Sequence, residues 1–235
     1  MQVEIWSDIA CPWCAVGKRR FAAALSDFTH ADEVRVRWRS FELDPDAPAV
    51  LEGDYVDRLA HKYGTTATAA QSMIDRMRQT AAEDGWDFRF DRIRPGNTFD
   101  AHRLLHLAAD HGLQDQLSEA LFSAYLEAGV GIGRAAELRE VAVAAGLPAA
   151  EVDDVLRGRR YAAEVRADEQ QARAFGISGV PFFVIDRRFG VSGAQPATLL
   201  RQALEQGWDE RQPLAMVGGH EHGAAEACAD GSCAV

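Results

Sequence analysis

The sequence predicts an α/β fold in which a small sheet-containing core is interrupted by a large all-α insertion. The chain opens with a strand, a helix and a strand, and it closes with two strands and a helix. The residues between these two segments show mostly the apolar spacing of amphipathic helices. We therefore expect residues 1–45 and 177–212 to form the core domain and residues 46–176 to form the insertion domain.

The composition is that of a globular protein, and it excludes some partners. Of the 235 residues, 47% are hydrophobic, which is enough to form a core. The formal net charge of −11 argues against sequence-independent binding to nucleic acid, because such binding depends on Lys and Arg at phosphates. No apolar run of roughly 18 residues is present, so we expect no membrane association. The N-terminus has neither a basic nor a long apolar segment, which predicts a cytoplasmic protein.

The opening segment has the order β-α-β. Residues 3–6 are β-prone, residues 15–28 have helical apolar spacing, and residues 34–39 alternate apolar with polar side chains. A Cys-Pro-Trp-Cys turn at residues 11–14 follows the first strand. Open α/β sheets place their functional sites at the carboxyl ends of strands, so we expect the functional site at this turn.

The insertion is predicted to contain seven helices. Glycines close several of them, because Gly tolerates the left-handed backbone that ends many helices. The expected helices span residues 55–63, 68–84, 99–111, 113–127, 134–145, 149–156 and 161–175.

The closing segment has the order β-β-α. Residues 180–185 are dense in β-prone side chains and residues 190–193 form a short second strand. Pro196 opens a helix over residues 197–205. Residues 213–235 lack apolar periodicity, so we expect them to form a flexible tail.

The spacing of Cys11 and Cys14 predicts thiol chemistry. Two thiols within one helical turn can close a disulfide. The N-terminus of a helix carries free N–H groups and partial positive charge, which stabilise a thiolate and lower its pKa. Pro12 suits the first turn because its missing N–H is not needed there. We expect Cys11 to be the exposed attacking thiolate and Cys14 to be the buried thiol that resolves the mixed disulfide.

Two alternatives to redox chemistry are open at this pair. The cysteines can be small buried packing residues, or they can be half of a zinc site. Zinc needs two further ligands, and the tail contains His220, His222, Cys228 and Cys233. We favour redox chemistry and predict no metal site. Cys228 and Cys233 can instead close a loop disulfide, which is either an accessory relay for electrons from Cys11 and Cys14 or an incidental feature of a dispensable tail.

Val180 and Pro181 begin a strand that we expect beside the first one. Pro has no N–H to donate to the hydrogen bonds within a central strand, but it is tolerated at the first residue of a strand. A cis bond between these residues would expose the Val180 backbone beside Cys11, where it can pair with an extended substrate. Only about 5–6% of X–Pro bonds in folded proteins are cis, so the residues alone favour trans.

Together these features resemble the DsbA-like thioredoxin superfamily, and more closely its FrnE subgroup. The resemblance implies a thioredoxin-like core with a helical insertion, and a cis bond at Pro181. No dissociable cofactor is needed, and glutathione is a candidate co-substrate. The stretches that carry the resemblance are SDIACPWC (7–14), FEL (41–43), NTFDAHR (97–103) and GISGVPFF (176–183).

The expected substrate groove combines Pro12 and Trp13 with Val180 and Pro181. His102 and His106 share one face of a predicted helix, since they are spaced i, i+4. We expect His102 to face the groove. His106 is interpreted as a surface or interior side chain.

The predicted function is that of a thiol–disulfide oxidoreductase. Its partners would be protein or small-molecule thiols and disulfides, and it would act as a monomer or homodimer. The first rival is a glutathione-dependent isomerase or transferase, similar to 2-hydroxychromene-2-carboxylate isomerase or to the kappa class. Those enzymes typically carry Ser where Cys11 stands, so the two cysteines argue against this rival. The second rival is a chaperone-like binding module with an apolar groove.

The dipeptide between the cysteines predicts the strength of the oxidant. Strongly oxidising DsbA proteins carry Pro-His, and His adds positive charge near the thiolate. Trp13 cannot add such charge, so we expect the disulfide to be less oxidising than the about −120 mV of DsbA.

Overall fold

The computed structural model describes residues 1–211. The opening segment forms β1 (Gln2–Ser7), α1 (Pro12–Ser26) and β2 (Arg35–Ser40). Helix α1 begins at Pro12 rather than at the predicted residue 15, because Pro at the first helical position needs no partner for its missing N–H. The cysteine turn is therefore part of the helix end.

Seven helices follow in the insertion, and their ends lie within one residue of the predicted ones. The first is capped by the Asp54 carboxylate, and Gly64 ends it at a φ of 60°. No helix in residues 1–211 has the length and apolar character that a bilayer span requires. The seven are α2 (Tyr55–Tyr63), α3 (Ala67–Glu83), α4 (Phe99–Asp110), α5 (Gln114–Leu126), α6 (Ala135–Ala144), α7 (Ala149–Arg157) and α8 (Ala162–Ala174).

The closing segment forms β3 (Phe182–Ile185), β4 (Phe189–Ser192) and α9 (Ala197–Asp209). Helix α9 continues beyond the predicted end at residue 205 and passes through Gly207. A Cβ at position 207 would lie 2.6 Å from Cγ2 of Ile185. The glycine therefore does not stop the helix but lets it pack closely on β3.

The four strands of residues 1–211 form one mixed sheet in the order β2-β1-β3-β4. Strand β1 pairs parallel with β2 and antiparallel with β3, and β3 pairs antiparallel with β4. In this register Ile5 lies opposite Phe183, and Trp6 lies opposite Phe182. The end of β1 and the start of β3 therefore meet at one edge, which brings the cysteine turn beside the loop that precedes β3.

Helices cover both faces of the sheet. On one face, α1 and α9 pack on the strands through a cluster that includes Val3, Ile5, Phe21, Phe183, Leu200 and Leu204. On the other face, Trp6 packs against Ala172 of α8. A further apolar core fills the insertion and extends to Cys14 at the start of α1. The cysteine pair thus lies where the sheet domain meets the insertion.

A buried network of charges joins the insertion to the sheet. Arg39 of β2 pairs with Glu4 of β1, and its Nη1 lies 2.7 Å from Oδ1 of Asp168 in α8. The Asp168 carboxylate also accepts from the Ser40 N–H at 3.0 Å and lies 3.2 Å from Nε2 of His106, which is an interior residue. Burial raises the pKa of Asp168, but the bonds from His106 and Ser40 and the charge of Arg39 outweigh burial and lower it.

Candidate active site

Cys11 and Cys14 lie at the N-terminus of α1, where free N–H groups face the turn. Cys11 is the N-cap residue, with extended backbone at φ −96° and ψ 110°. Its C=O accepts from the Cys14 N–H at 3.0 Å, and its own N–H donates to the Asp8 C=O at 3.1 Å. Both cysteines are free thiols; Cys11 is 6% exposed and Cys14 is 0% exposed. Cys11 is therefore buried rather than exposed as predicted, because the turn packs against the insertion, but it lines a groove and keeps a small accessible fraction. Cys14 lies fully inside, as predicted for the resolving thiol.

The burial of Cys14 affects its protonation. Burial raises the pKa of Cys14 well above its ordinary value, and the hydrogen bond and negative charge of Cys11 raise it further. The Ser7 hydroxyl and the Asp8 N–H act on the same sulfur in the opposite direction, but less strongly. Cys14 therefore keeps its proton at neutral pH, and any nucleophile at this pair has to be Cys11.

The Val180–Pro181 loop lies directly beside the thiols. Its peptide bond is cis, and the Val180 C=O lies 3.7 Å from the Cys11 sulfur. Helix α1 approaches the loop at Gly17, where a Cβ would stand 2.9 Å from Cγ of Pro181. The Pro181 C=O accepts from the Gly193 N–H at 2.8 Å, which ties the loop to the end of β4. The Val180 backbone is thus held next to the accessible sulfur.

A groove of about 440 Å³ opens at Cys11. Pro12 and Trp13 form one wall, and Trp13 is 46% exposed. The opposite wall comes from the insertion and is mostly apolar; it includes Tyr55, Leu59, Met73, Ile74, Met77 and Phe90. The groove therefore has the character needed to hold an apolar or aromatic part of a substrate next to the thiol.

A second cavity, also of about 440 Å³, continues from this groove. Its further wall holds Asp8, Arg58, Thr98 and Tyr125. The two cavities share five lining residues, which are Ala10, Leu43, Tyr55, Leu59 and Lys62. A bound molecule can therefore extend from Cys11 toward Arg58 without leaving the cleft.

Two tyrosines of the insertion lie near the reactive thiol. Burial raises the pKa of Tyr55 to about 12, and the negative charge of Cys11 contributes to the rise. Burial also raises the pKa of Tyr125, with contributions from Tyr55, Asp8 and Cys11. Both phenols therefore stay protonated at neutral pH and act there only as hydrogen-bonding groups.

His102 does not line the groove, contrary to our expectation. Its side chain is 1% exposed, and its Nε2 lies 3.5 Å from Oδ1 of Asp8. Neither ring nitrogen has a hydrogen-bond partner within residues 1–211. Helix α4 is buried on most of its surface, so the face that carries His102 packs inside the protein behind the thiols. His102 therefore cannot contact a substrate in this conformation.

A buried carboxyl group lies in the same interior region. Burial raises the pKa of Glu42 to about 7, and a hydrogen bond with Glu169 adds to the rise. The hydrogen bond and the positive charge of Arg166 oppose this shift. Oε1 of Glu42 has no partner among the described residues. Glu42 is therefore a protonatable group inside the protein that titrates near neutral pH.

The sequence reasoning missed four residues of this region. Asp8 carried a signal, since it stands in the turn three residues before Cys11. Arg58 and Tyr55 belong to α2, and Tyr125 belongs to α5. Only the packing of the insertion on α1 brings these three to the thiols, and apolar periodicity contains no information about that packing.

Two remote solved structures have the same fold. The cytosolic disulfide reductase DsbM from Pseudomonas aeruginosa, solved with GSH, is 19% identical with a TM-score of 0.63, over 89% of this chain and 100% of that one. A 2-hydroxychromene-2-carboxylate isomerase is 12% identical with a TM-score of 0.64, over 90% of this chain and 100% of that one. At these identities the likeness concerns the fold alone.

Two further matches are much stronger. A probable DsbA oxidoreductase from Streptomyces coelicolor is 47% identical with a TM-score of 0.89, over 100% of this chain and 99% of that one. The family model described as the DSBA-like thioredoxin domain matches residues 2–205. Assignment to the FrnE subgroup stays a prediction. With its mixed sheet, its helical insertion and these two matches, the chain belongs to the DSBA-like thioredoxin domain family.

Proposed function

We propose that the protein is a thiol–disulfide oxidoreductase that works through Cys11 and Cys14. The observation that carries this proposal is the asymmetry of the pair. One sulfur opens to a groove at a helix N-terminus, and the other is buried with a raised pKa. A nucleophile with a protonated partner one turn away is the arrangement that disulfide exchange requires.

The reaction proceeds in two exchanges. When the protein oxidises a dithiol, a substrate thiolate attacks the Cys11 sulfur of the Cys11–Cys14 disulfide. The intramolecular S–S bond breaks, Cys14 leaves and takes up a proton, and the substrate is joined to Cys11. The second substrate thiolate then attacks the substrate sulfur of this mixed disulfide, and Cys11 leaves as the thiolate. Reduction of a substrate disulfide is the reverse sequence, so the chemistry needs no dissociable cofactor.

The groove and the loop beside it support a role in substrate binding for three of the predicted residues. Pro12 and Trp13 line it, and the Val180 C=O lies 3.7 Å from the Cys11 sulfur. An extended substrate segment can pair with the Val180 backbone while a side chain enters the groove. Protein or small-molecule thiols and disulfides are the proposed partners, with glutathione as a co-substrate, since a remote relative of the same fold was solved with GSH.

Two finer parts of the proposal concern the tail and the compartment. Cys228 and Cys233 lie outside the described residues, and their role as an accessory redox pair stays a prediction. We propose a cytoplasmic location, since reduced thiols persist there and the remote reductase relative is described as cytosolic.

The proposal is tested by the catalysed reduction of insulin by dithiothreitol. We expect Cys11→Ser to lose the activity, because no nucleophile remains on the groove. We expect Cys14→Ala to lose turnover but to accumulate mixed disulfides on Cys11. The matched control is the double change Cys228→Ser and Cys233→Ser, which keeps the first pair and reports on the tail alone.

The same variants separate the rivals. A glutathione-dependent isomerase needs no resolving thiol and typically carries Ser where Cys11 stands. Isomerisation of 2-hydroxychromene-2-carboxylate that survives in both Cys14→Ala and Cys11→Ser would therefore favour that rival. A chaperone-like module needs neither thiol, so suppression of aggregation that is unchanged in Cys11→Ser, together with no insulin reduction by the unmodified protein, would contradict the redox proposal.

A further inference from the structure

The groove at Cys11 has a charge opposite to that of the whole chain. The sequence contains 36 acidic and 25 basic residues. Among the described residues, however, the lining of the groove includes Lys62 and Arg76 but no Asp or Glu. Neither cation forms an ion pair within residues 1–211. A basic cleft in an acidic protein attracts anions selectively, because a cleft with low-dielectric walls concentrates the local field.

Arg58 adds a further cation in the adjoining cavity, whose lining also includes Asp8 and Asp44. It lies on α2, one turn before Lys62, and its side chain is partly buried. Its Nη1 is fully buried and has no hydrogen-bond partner in residues 1–211. A buried guanidinium nitrogen without a partner is costly, since nearly all such groups in folded proteins are paired. Arg58 also lines the adjoining cavity, so the accessible part of its side chain can meet a molecule bound there.

The acids of that cavity form no ion pair with Arg58 among the described residues. Asp8 uses Oδ2 to accept from the Leu43 N–H at 2.8 Å and Oδ1 to accept from the Ala10 N–H at 3.2 Å. Asp44 also lines the cavity, but it is exposed and forms no ion pair with Arg58. Thr98 and the protonated Tyr125 add hydroxyl groups to the same wall. Besides the two acids, this wall therefore presents a guanidinium and two hydroxyl groups to a bound molecule.

We propose that Arg58 binds a carboxylate of the substrate, so that the protein prefers thiols and disulfides that carry carboxylates. The planar guanidinium suits a carboxylate because it donates two parallel N–H bonds. Lys62 and Arg76 then attract such a substrate toward the groove, and Arg58 fixes its acidic end while the sulfur lies at Cys11. This inference rests on the proposed function, since it names the substrate class of the same site.

The test measures one defined exchange step. The full-length chain is prepared with Cys14→Ala, Cys228→Ser and Cys233→Ser, so that Cys11 is its single thiol. The Cys11 thiolate attacks a probe disulfide, the new S–S bond forms, the S–S bond of the probe breaks, and the departing thiolate takes a proton from water. The probes are glutathione disulfide, which carries carboxylates, and bis(2-hydroxyethyl) disulfide, which is neutral. Mass spectrometry gives the rate constant of each adduct and hence their ratio.

We expect Arg58→Gln to lower the ratio of the acidic to the neutral rate constant about tenfold, the effect of losing one charged hydrogen bond. Arg78→Gln, on an exposed arginine of α3 outside the groove lining, is the matched control and should leave the ratio unchanged. A general loss of structure or of thiol reactivity lowers both rate constants and therefore cancels in their ratio. An Arg58→Gln ratio within twofold of the parent overturns the carboxylate site.

A second measurement does not depend on any arginine variant. In the single-thiol chain without an arginine change, the ratio of the acidic to the neutral rate constant should fall as ionic strength rises from about 0.01 M to about 1 M. The reason is that the Debye length shrinks from about 30 Å to about 3 Å, so salt screens the attraction between the cations and the acidic probe. A ratio that does not change with salt contradicts the claim that Lys62 and Arg76 attract an acidic substrate to the groove. Failure of both probes to form an adduct with Cys11 overturns the proposed function itself, so the two failures are distinguishable.

Discussion

Cys11 and Cys14 are the same residue type one helical turn apart, and their surroundings give them different chemistry. Cys11 is the N-cap, so its sulfur faces a groove and the Val180 carbonyl. Cys14 is fully buried, and burial raises its pKa. In the reaction that we propose, position within the first turn therefore decides which sulfur attacks and which one holds a proton.

Trp13 provides a prediction about redox potential. We expect the unmodified protein to have a reduction potential below about −120 mV, and Trp13→His to raise it by about 30 mV, because an imidazolium stabilises the thiolate form. Equilibration with glutathione redox buffers measures both values. Trp13→Phe is the control for the loss of the indole and should leave the potential near that of the parent. A potential of Trp13→His at or below the parent value would contradict the charge argument.

Glu42 provides a prediction about pH. Its pKa is about 7 in the folded state against an ordinary value of 4.5. Between these values the folded protein holds a proton that the unfolded chain releases, so stability falls as pH rises. Glu42→Gln mimics the protonated form. The difference in free energy of unfolding between Glu42→Gln and the parent should therefore change with pH. We expect it to shift by about 1–2 kcal/mol in favour of Glu42→Gln when the pH rises from 5.5 to 8.

Urea unfolding at the two pH values checks this expectation. The control is Glu164→Gln, an exposed site on the same helix as the neighbours Arg166 and Glu169. Its stability relative to the parent should be the same at both pH values. The idea fails if Glu42→Gln and Glu164→Gln show the same pH dependence.

The chemistry of single residues was only partly visible in the sequence. The cysteine pair, Pro12 and Trp13 could be identified from spacing, because the turn is local. His102 was expected at the groove, but it is buried, since helical spacing tells which residues share a face and not what that face packs against. Arg58 and Tyr125 had no signal for the same reason.

Among the elements, α1 and the loop before β3 pack against each other at the site. Gly17 allows the helix to lie against the ring of Pro181, and any larger residue would enter the space of that ring. The loop holds the Val180 carbonyl beside Cys11, so the spacing between α1 and the loop sets the width of the site. A glycine in the middle of a helix is thus retained here for packing.

Gly17→Ala tests this contact. Alanine favours a helix by about 1 kcal/mol over glycine, but the added Cβ would stand 2.9 Å from a stiff proline ring. We expect the overpacking to exceed the helical gain and to lower stability by about 1 kcal/mol net. Gly179→Ala is the control, since no atom of the described residues lies within 4 Å of its added Cβ. Urea midpoints equal to or above the parent value in Gly17→Ala would contradict the steric argument.

The ends of helices could be predicted from the sequence where a local residue determines them. Helix α2 ends at Gly64, as expected, because this glycine takes the left-handed backbone. Helix α9 extends past its predicted end because Gly207 serves a close contact with Ile185 and not a helix stop. A glycine therefore ends one helix and allows close packing in another, and only tertiary contacts distinguish these two roles.

At the scale of the whole molecule, the charged network around Asp168 fastens the insertion to the sheet. Its members come from β1, β2, α4 and α8, and all are largely buried. The Trp6 indole N–H also donates to the Asp168 C=O at 2.9 Å. Charged residues are usually assigned to solvent from sequence, so this network could not be predicted without knowing which strands and helices meet.

Asp168→Asn should destabilise the protein by about 3 kcal/mol at pH 7, because Arg39 is then left buried with one partner fewer. The pKa of Asp168 is lowered from 3.8, so the charged form stabilises the fold above that value and the effect is lost as pH falls further. The difference from the parent should therefore shrink below about pH 4. Chemical denaturation checks this, and Asp153→Asn, which breaks a partly exposed pair with Arg139, should change stability little.

The contact between Cys11 and Val180 joins positions that are 169 residues apart. On the ribosome, both cysteines emerge long before the loop that lies beside them has been made. At a synthesis rate of about 5–20 residues per second, this interval lasts roughly 8–35 s. During it the nascent chain carries two adjacent thiols with neither groove nor loop to select what reacts with them. The newly made chain is therefore more open to unselected oxidation than the folded protein.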